Sequence, residues 1–303
     1  MKGYKVNLHL TEICNFKCRY CFAHFEEHKA LSTEDWKQII LNCYQSGLVE
    51  AINFAGGEPL LYKGLTELAR YARQLGLRCS LITNASLMDD AWIRENAGLF
   101  DTIGISVDSF TDGTMQKIGR CSCKGETLSL DSLAHRLHLI RSLYPDVKLK
   151  LNTVVNRLNM DEIMANAFFT HKLPVDRWKL LKMSPFDDGC HSNAALAISD
   201  REYFRFVQHQ LARFGMTSSG TEDAAVYHTL TGTDVVIERE LRGGYIMVDA
   251  GGYLVDDTKN SSYTRVIQCQ EMPLAEGLAK LTFMQELYDA RYAEQAEAYP
   301  VSA

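Results

Sequence analysis

Short apolar runs alternate with amphipathic stretches over the first two thirds of the chain, and this alternation restricts the possible folds more than any other feature. Six of the runs have the length and composition of β-strands. Strands that are separated by helical crossovers pair in parallel, because such a connection has room to return to the same end of a sheet. The candidate strands are Val6–Leu10, Ala51–Phe54, Arg78–Thr83, Thr102–Val107, Lys148–Val155 and Trp178–Lys182.

The stretches between the runs carry apolar residues at helical spacing, and another such stretch follows the last run. Six strand–helix units predict an α/β fold, a partial (β/α)6 barrel of the TIM type over residues 1–215. Ser32 or Thr33 can cap the first helix, because Glu34 and Asp35 follow in its first turn. The predicted helices lie near Thr33–Gln45, Leu65–Leu75, Asp89–Ala97, Leu128–Leu143, Glu162–Thr170 and Asp200–Phe214.

The pattern changes after about residue 215. A linker rich in Ser, Thr and Gly at Thr217–Thr221 precedes a short helical candidate at Ala224–Leu230. Tyr245–Val248 and Gly252–Val255 predict a hairpin, and a last helix is expected near Leu278–Ala290. We interpret residues 216–303 as an α+β extension that packs against the open barrel and closes the active site.

Composition narrows the function classes. The 303 residues are 46% hydrophobic and 23% charged, as in ordinary globular proteins, and the net charge of −6 argues against a general nucleic-acid binder. Nine cysteines at irregular spacing do not predict a disulfide framework. No signal peptide and no apolar run of membrane-spanning length are visible. We therefore expect a cytoplasmic monomer that binds neither membranes nor nucleic acid.

Three cysteines, Cys14, Cys18 and Cys21, follow the first strand with the spacing C-x3-C-x2-C. Iron–sulfur clusters are normally held by four thiolates, so three would leave one iron open to an exchangeable ligand. S-adenosylmethionine (SAM) needs such an iron beside an aromatic side chain, here Tyr20 or Phe22. The spacing is similar to that of the radical SAM superfamily. A zinc knuckle or three structural cysteines are the alternatives.

Polar residues follow the other predicted strands at the end where barrel active sites are built. Gly56-Gly57-Glu58-Pro59 is similar to the motif with which radical SAM proteins bind the amino group of SAM, although a plain glycine turn would look the same. The residues after the third and fourth strands resemble contacts to the SAM carboxylate and ribose, although each alone could be a turn or a helix cap. They are Asn84, Ser86, Ser106 and Asp108.

Cations are concentrated on the fifth and sixth strands. Alternation places Lys150 and Asn152 on one face, and Arg177 and Lys179 likewise share a face. Buried cations need anionic partners, and no acids alternate with them on these two strands. The missing anion is then a ligand, for which a phosphate chain is the obvious candidate. The alternative places these cations at exposed strand ends.

The chain resembles the viperin family, in particular its prokaryotic members, over roughly residues 5–255. The matching segments are Val6-Asn7-Leu8-His9, the cysteine loop, 52–59, 105–110, Ile118-Gly119-Arg120, 150–159, Arg177-Trp178-Lys179 and 245–249.

This resemblance implies a [4Fe–4S] cluster, SAM and a flavodoxin- or ferredoxin-like electron donor. It also implies that CTP, UTP or GTP loses water through abstraction of the ribose 4′-hydrogen by a 5′-deoxyadenosyl radical. The product would be the 3′-deoxy-3′,4′-didehydro nucleotide, an antiviral chain terminator acting against phage.

Roles are carried over by position. The resemblance implies that Cys14, Cys18 and Cys21 ligate the cluster. It assigns SAM binding to Gly56, Gly57, Glu58, Asn84, Ser86, Ser106 and Phe22. It assigns triphosphate binding to Lys150, Asn152, Arg177 and Lys179, with Arg120 nearby. Tyr245 would lie by the ribose and supply a hydrogen or proton, with Asn7 and His9 near the nucleotide. His9 could equally be a core histidine.

The sequence departs from the animal members in several places. Ala85 replaces a glycine, the loop 121–125 differs, and the amphipathic N-terminal helix and Trp-ending tail are missing. Two other functions stay open. A radical SAM peptide-modifying enzyme could recruit Cys121, Cys123, Cys190 and Cys269 for auxiliary clusters, and a non-enzymatic iron–sulfur redox or nucleotide-sensing protein could hold the cluster alone.

Overall fold

All six predicted strands are present, and they pair in parallel in the order of the sequence. The computed structural model describes residues 3–21, 31–186, 192–218, 224–239, 241–258, 263–271 and 274–292. Phe22 and Cys190, and Ser219–Thr221 of the expected linker, lie outside these ranges. The strands are β1 (Tyr4–His9), β2 (Val49–Ala55), β3 (Arg78–Thr83), β4 (Thr102–Ser106), β5 (Lys148–Val155) and β6 (Arg177–Lys182).

Helices connect these strands, largely at the predicted positions. Ser32 caps the first of them, since its Oγ accepts from Asp35 N at 3.2 Å while the Asp35 carboxylate accepts from Ser32 N at 3.0 Å. The helices are α1 (Thr33–Gln45), α2 (Leu65–Gln74), α3 (Asp90–Asn96), α4 (Asp112–Ile118), α5 (Leu130–Leu143), α6 (Asn166–Thr170) and α7 (Asp200–Arg213).

Two of these helices differ from the prediction. Helix α6 begins only at Asn166, because Asn156 and Asn159 turn the preceding chain. Asn159 Oδ1 accepts from Asn156 N at 2.8 Å, and Asn156 Oδ1 accepts from Leu158 N at 3.0 Å. Helix α4 was not predicted, because only Met115 and Ile118 of its seven residues are buried, too few to form a recognisable period.

The expected helix at Ala224–Leu230 is wrong. Residues Ala224–His228 form strand β7, which pairs antiparallel with a strand the prediction missed, β8 (Asp234–Glu238). Strand β8 continues the sheet by pairing in parallel with β6. The β-branched run Val235-Val236-Ile237 suits that position, and pairing to it overrides the helical preference of the alanines in β7.

The predicted hairpin is confirmed as β9 (Ile246–Val248) and β10 (Tyr253–Asp256), and β10 also pairs with β11 (Thr264–Gln268). The single last helix is instead two, α8 (Leu274–Lys280) and α9 (Gln285–Tyr292). The break between them is held by the hairpin, since Met284 N donates to Gly243 O at 2.9 Å and Thr282 N to Asp256 Oδ2 at 3.2 Å.

Within the described residues, eleven strands form one sheet with the order β11-β10-β9-β1-β2-β3-β4-β5-β6-β8-β7. The sheet curves as a partial barrel and does not close, which confirms the predicted α/β architecture. The C-terminal extension supplies both flanks, and its Val248, Leu254 and Leu274 join the same hydrophobic core as the barrel. The boundary at residue 215 stays a prediction. None of the described helices has the length and apolar character needed to span a bilayer.

Candidate active site

A cavity of about 460 Å³ lies on the inner face of the sheet and runs from the cysteine loop towards the amino ends of β1, β3, β5 and β6. Most of the residues singled out from the sequence line it. At the cysteine end these are Cys14, Cys18, Cys21, Gly56, Gly57, Glu58, Asn84, Ser106 and Arg120. Farther along the sheet they are Asn7, His9, Lys150, Asn152, Arg177, Lys179 and Tyr245.

The cysteine loop is fixed by backbone contacts to the end of α4. Lys17 N donates to Gly119 O at 3.0 Å, and Arg19 N donates to Ile118 O at 2.9 Å. Gly119 has φ +82, and a Cβ added to it would lie 2.1 Å from Lys17 O. Only glycine therefore allows this approach. The Ile-Gly-Arg segment positions the cysteines as well as supplying an arginine.

The three thiols suit a cluster better than a single ion. Burial raises the pKa of Cys14, and it raises that of Cys18 to about 12, in each case with Cys21 adding to the rise as an interacting charge. In the described part of the chain, no three His, Cys, Asp or Glu side chains converge closely enough to hold one metal ion. A [4Fe–4S] cluster needs no such convergence, because each thiolate binds a different iron. Three thiols around one cavity fit that group.

The two glycines of the Gly-Gly-Glu-Pro segment allow its backbone to lie close to the backbone of residues 11–13. A Cβ on Gly56, whose φ is +140, would lie 2.6 Å from Thr11 O, and one on Gly57 would lie 2.3 Å from Ile13 O. Gly57 N donates to Thr11 O at 2.6 Å. These contacts fix the segment to the chain that enters the cysteine loop, so the two segments form one backbone unit.

Glu58 is buried beyond the glycines and ties three segments together. It accepts hydrogen bonds from Thr83 Oγ1 at 2.6 Å, Asn84 N at 2.8 Å and Leu60 N at 3.1 Å. Burial raises the pKa of its carboxyl, and these three donors oppose that rise. A carboxylate at this end of the cavity can accept from an ammonium group, as the sequence predicts.

Asn84 and Ser86 form a hydrogen-bonded triangle with Asn15 of the cysteine loop. Asn84 Nδ2 donates to Asn15 Oδ1 at 2.9 Å, Asn15 Nδ2 to Ser86 Oγ at 2.8 Å, and Ser86 Oγ to Asn84 Oδ1 at 2.6 Å. Ser86 is not among the residues that line the cavity, and it is connected to the cavity through Asn84. Ala85 between them has φ +57, a conformation that favours glycine. The departure noted in the sequence therefore falls on a strained position.

Arg120 is held near the cysteine loop by a buried ionic network. Its Nε donates to Asp108 Oδ2 at 2.5 Å, and Tyr20 OH bonds to both side chains. Although burial lowers the pKa of Arg120, Asp108 and the neighbouring Cys18 and Tyr20 raise it, so the side chain stays charged. The positive charge of Arg120 is paired with Asp108, and Asp108 Oδ1 accepts from Val154 N at 2.8 Å.

The cations of β5 and β6 line the cavity as predicted, but two of them have carboxylate partners on a strand that was not predicted. Strand β8 was missed, and it brings Asp234 to Arg177 at 3.3 Å and Glu238 to Lys179 in a buried ion pair. Lys150 is different, because no carboxylate of the described residues lies within 4.0 Å of its Nζ. Burial and then Lys179 and Lys5 lower its pKa well below the usual value. Among the described residues Lys150 therefore lacks a directly paired carboxylate, although Glu238 favours its charged form from a longer distance.

Asn152 and Tyr245 line the same cavity as these cations. Asn152 Oδ1 is buried, and no donor in the described part of the chain reaches it. Tyr245 OH donates to Glu238 Oε2 at 3.2 Å, so one carboxylate bridges the tyrosine and Lys179. Glu238 was not identified from the sequence, although it follows a β-branched run, because no strand was predicted at that point of the C-terminal extension.

Asn7 and His9 lie on the inner face of β1. Asn7 Nδ2 donates to Ile246 O at 3.0 Å and its Oδ1 accepts from Asn53 at 2.7 Å, so Asn7 joins β1 to β9 and β2. Burial lowers the pKa of His9 to about 4, which keeps its ring neutral at physiological pH. Lys5 shares this face and was not singled out, although its period-two spacing from Asn7 and His9 would have revealed it.

Comparison with known proteins agrees with this geometry. Residues 8–163 match the model of the Radical SAM superfamily. The S-adenosylmethionine-dependent nucleotide dehydratase of Selenomonas ruminantium is 39% identical over 96% of this chain and 99% of its own length. That of Fibrobacter sp. (strain UWH6) is 29% identical over 98% and 90%.

Solved structures give the same fold. The enzyme anSMEcpe with bound AdoMet and Cp18Cys peptide superposes with a TM-score of 0.68 at 15% identity, covering 95% of this chain and 84% of that one. Streptococcus suis SuiB bound to S-adenosylmethionine gives 0.63 at 14% identity, covering 95% and 67%. At these identities the likeness establishes the fold alone. On the family model and the close relative, the chain belongs to the radical SAM superfamily and, within it, to the viperin-type S-adenosylmethionine-dependent nucleotide dehydratases.

Proposed function

We propose that this protein dehydrates CTP, UTP or GTP to the corresponding 3′-deoxy-3′,4′-didehydro nucleotide. As a member of its family it uses a [4Fe–4S] cluster and SAM, which when bound supply a 5′-deoxyadenosyl radical. The ribose 4′-hydrogen is the atom removed. Loss of the 3′-hydroxyl as water, with one electron and one proton added, then forms the 3′,4′ double bond.

The observation that carries the substrate class is that Lys150 has no carboxylate partner among the described residues, so its charged form needs an anion from elsewhere. Charging this half-buried lysine without a carboxylate partner among the described residues costs several kcal/mol unless a ligand supplies the anion. A triphosphate offers that anion beside Arg177 and Lys179. Asn152 Oδ1, buried and without a donor in the described chain, would accept from the same nucleotide.

The remaining residues have supporting roles. Cys14, Cys18 and Cys21 hold the cluster, while Gly56, Gly57, Glu58, Asn84 and Ser106 receive SAM and Ser86 orients Asn84. Arg120 stabilises the cluster loop through Asp108 and leaves the triphosphate to the β5 and β6 cations. Tyr245, which is hydrogen-bonded to Glu238, is the residue we propose to give a hydrogen or a proton to the sugar. Holding the sugar so that only its 4′-hydrogen is within reach can lower the activation barrier by about 7–11 kcal/mol.

A peptide-modifying function has less support. Auxiliary clusters would need further cysteines together, yet Cys121 and Cys123 follow α4 while Cys269 is buried beside α1. A passive redox or sensing role would have no need of the Gly-Gly-Glu-Pro segment or of an open iron.

The test is anaerobic turnover of cluster-reconstituted protein with SAM, a reductant and CTP, UTP, GTP or ATP supplied one at a time. Mass spectrometry should detect 5′-deoxyadenosine and, with one nucleotide, a triphosphate lighter by one water. A flavodoxin- or ferredoxin-like protein should replace the chemical reductant. Formation of 5′-deoxyadenosine with every triphosphate unchanged would refute the substrate proposal and leave the radical SAM assignment standing. Protection of cells against phage is the corresponding biological test.

A further inference from the structure

Lys5 enters the cavity from the opposite side to the triphosphate cations. Strand β1 alternates so that Lys5, Asn7 and His9 share the inner face, and all three line the cavity. Lys5 Nζ donates to the buried Ser80 Oγ at 3.2 Å. Its neighbour in register on β2 is Ala51, whose small side chain leaves space beside the lysine. The ammonium group is therefore directed along the cavity wall.

The charges around Lys5 are arranged for an anion. Burial, Arg78 and Lys179 together lower the pKa of Lys5 to about 7, and the opposing effect of Asp101 and Glu50 is smaller. The pKa of Lys150 is lowered by burial, by Lys179 and also by Lys5. Three lysines from β1, β5 and β6 thus repel one another across one cavity. Repulsion of this kind is relieved when a polyanion lies between them.

We propose that Lys5 is a further triphosphate-binding residue, which contacts the phosphate chain from β1 while Lys150 and Lys179 contact it from β5 and β6. This inference rests on the proposed function and extends it, since it predicts where the phosphate chain lies. The chain would run across the amino-terminal half of the barrel, with the ribose nearer to Tyr245 and the cysteine loop. Lys5 is then a substrate contact that no residue of β5 or β6 replaces.

Binding of inorganic tripolyphosphate to the cluster-reconstituted protein tests this without depending on the base. Calorimetry should show Lys5→Met binding it at least about tenfold more weakly than wild type, whereas Lys5→Arg, which keeps the charge, stays within a few-fold. Lys63→Met removes an exposed lysine outside the cavity and should bind as wild type. Melting temperatures of the empty proteins would identify a variant that fails to fold.

Proton uptake gives a second readout. As the pH rises above about 7, an increasing fraction of Lys5 is neutral in the empty site, so a polyanion that restores its charge must draw a proton from the buffer. Wild-type affinity should fall as the pH rises through 7, and Lys5→Met should lose part of the uptake. Unchanged affinity and uptake in Lys5→Met, with Lys150→Met impaired, would overturn the Lys5 proposal alone. Wild-type protein that binds neither tripolyphosphate nor any nucleoside triphosphate would overturn the proposed function with it.

Discussion

The contact between Gly119 and the cysteine loop makes a sharp prediction for Gly119→Ala. A left-handed alanine costs about 1–2 kcal/mol. The added Cβ would also lie 2.1 Å from Lys17 O and 3.4 Å from the Cα of Cys18, so the loop must move. Losing the two backbone hydrogen bonds that hold the loop would cost about 1 kcal/mol each. We expect a loss of about 3–4 kcal/mol in the free energy of unfolding, or a displaced loop that no longer binds the cluster.

Two other glycines separate these effects. Gly47 has φ +66 but nothing within 4 Å of an added Cβ, so Gly47→Ala should lose only the conformational term of about 1–2 kcal/mol and reconstitute normally. Gly113 lies in α4 with open space and ordinary φ, so Gly113→Ala should be neutral or stabilising by about 0.5–1 kcal/mol.

The assay pairs denaturant unfolding of each reduced apoprotein with the iron and sulfide content after reconstitution. Gly119→Ala should stand apart from Gly47→Ala in both measurements. If the two variants lose the same stability and both bind a full complement of iron, then the close approach of Gly119 does not hold the cysteine loop, and the reasoning fails.

Three further predictions follow from local geometry. The free energy of unfolding should be about 2 kcal/mol higher for Ala85→Gly than for Ala69→Gly, because the first substitution relieves a left-handed residue and the second weakens the buried side of helix α2. Denaturant unfolding of the two variants gives the comparison. Glu238→Gln should lower the melting temperature of the empty protein, because it removes the carboxylate partner of the buried Lys179. Tripolyphosphate should then raise the melting temperature of this variant more than that of the wild type, and equal shifts in the two proteins would contradict the ion pair. In urea unfolding, Trp178→Phe should lower the free energy of unfolding by about 1 kcal/mol more than Trp36→Phe. The indole N–H of Trp178 donates to a threonine hydroxyl at 2.9 Å, whereas that of Trp36 meets no acceptor in the described residues, and equal losses would argue against the first bond.

The sequence was sufficient for the barrel and insufficient for what flanks it. Long periodic elements such as β5 and α7 are predicted nearly to the residue, because their pattern and their burial agree. Strands β7 and β8 were misread or missed, since their pairing with β6 is a long-range contact that local composition does not report.

The same limit applies to the site. The cysteines and the cations of β5 and β6 were found because each group is concentrated in one segment. Glu238, which pairs with Lys179, lies 59 positions along the chain from it, and no spacing connects the two. Lys5 was accessible to the same alternation argument that revealed Lys150, and it was missed because a single lysine near the chain start resembles ordinary surface charge.

The two flanks of the sheet give the order of synthesis a role in folding. Strand β1 leaves the ribosome first, but its outer edge is covered by β9, and the edge of β6 by β8. At roughly 5–20 residues per second, the interval between the end of β6 and the end of β9 lasts some seconds. During that interval the nascent barrel has two uncovered parallel edges, which are templates for wrong pairing. Synthesis of the C-terminal extension therefore removes both templates, and the barrel depends on strands made late in translation to cover the edges of strands made early.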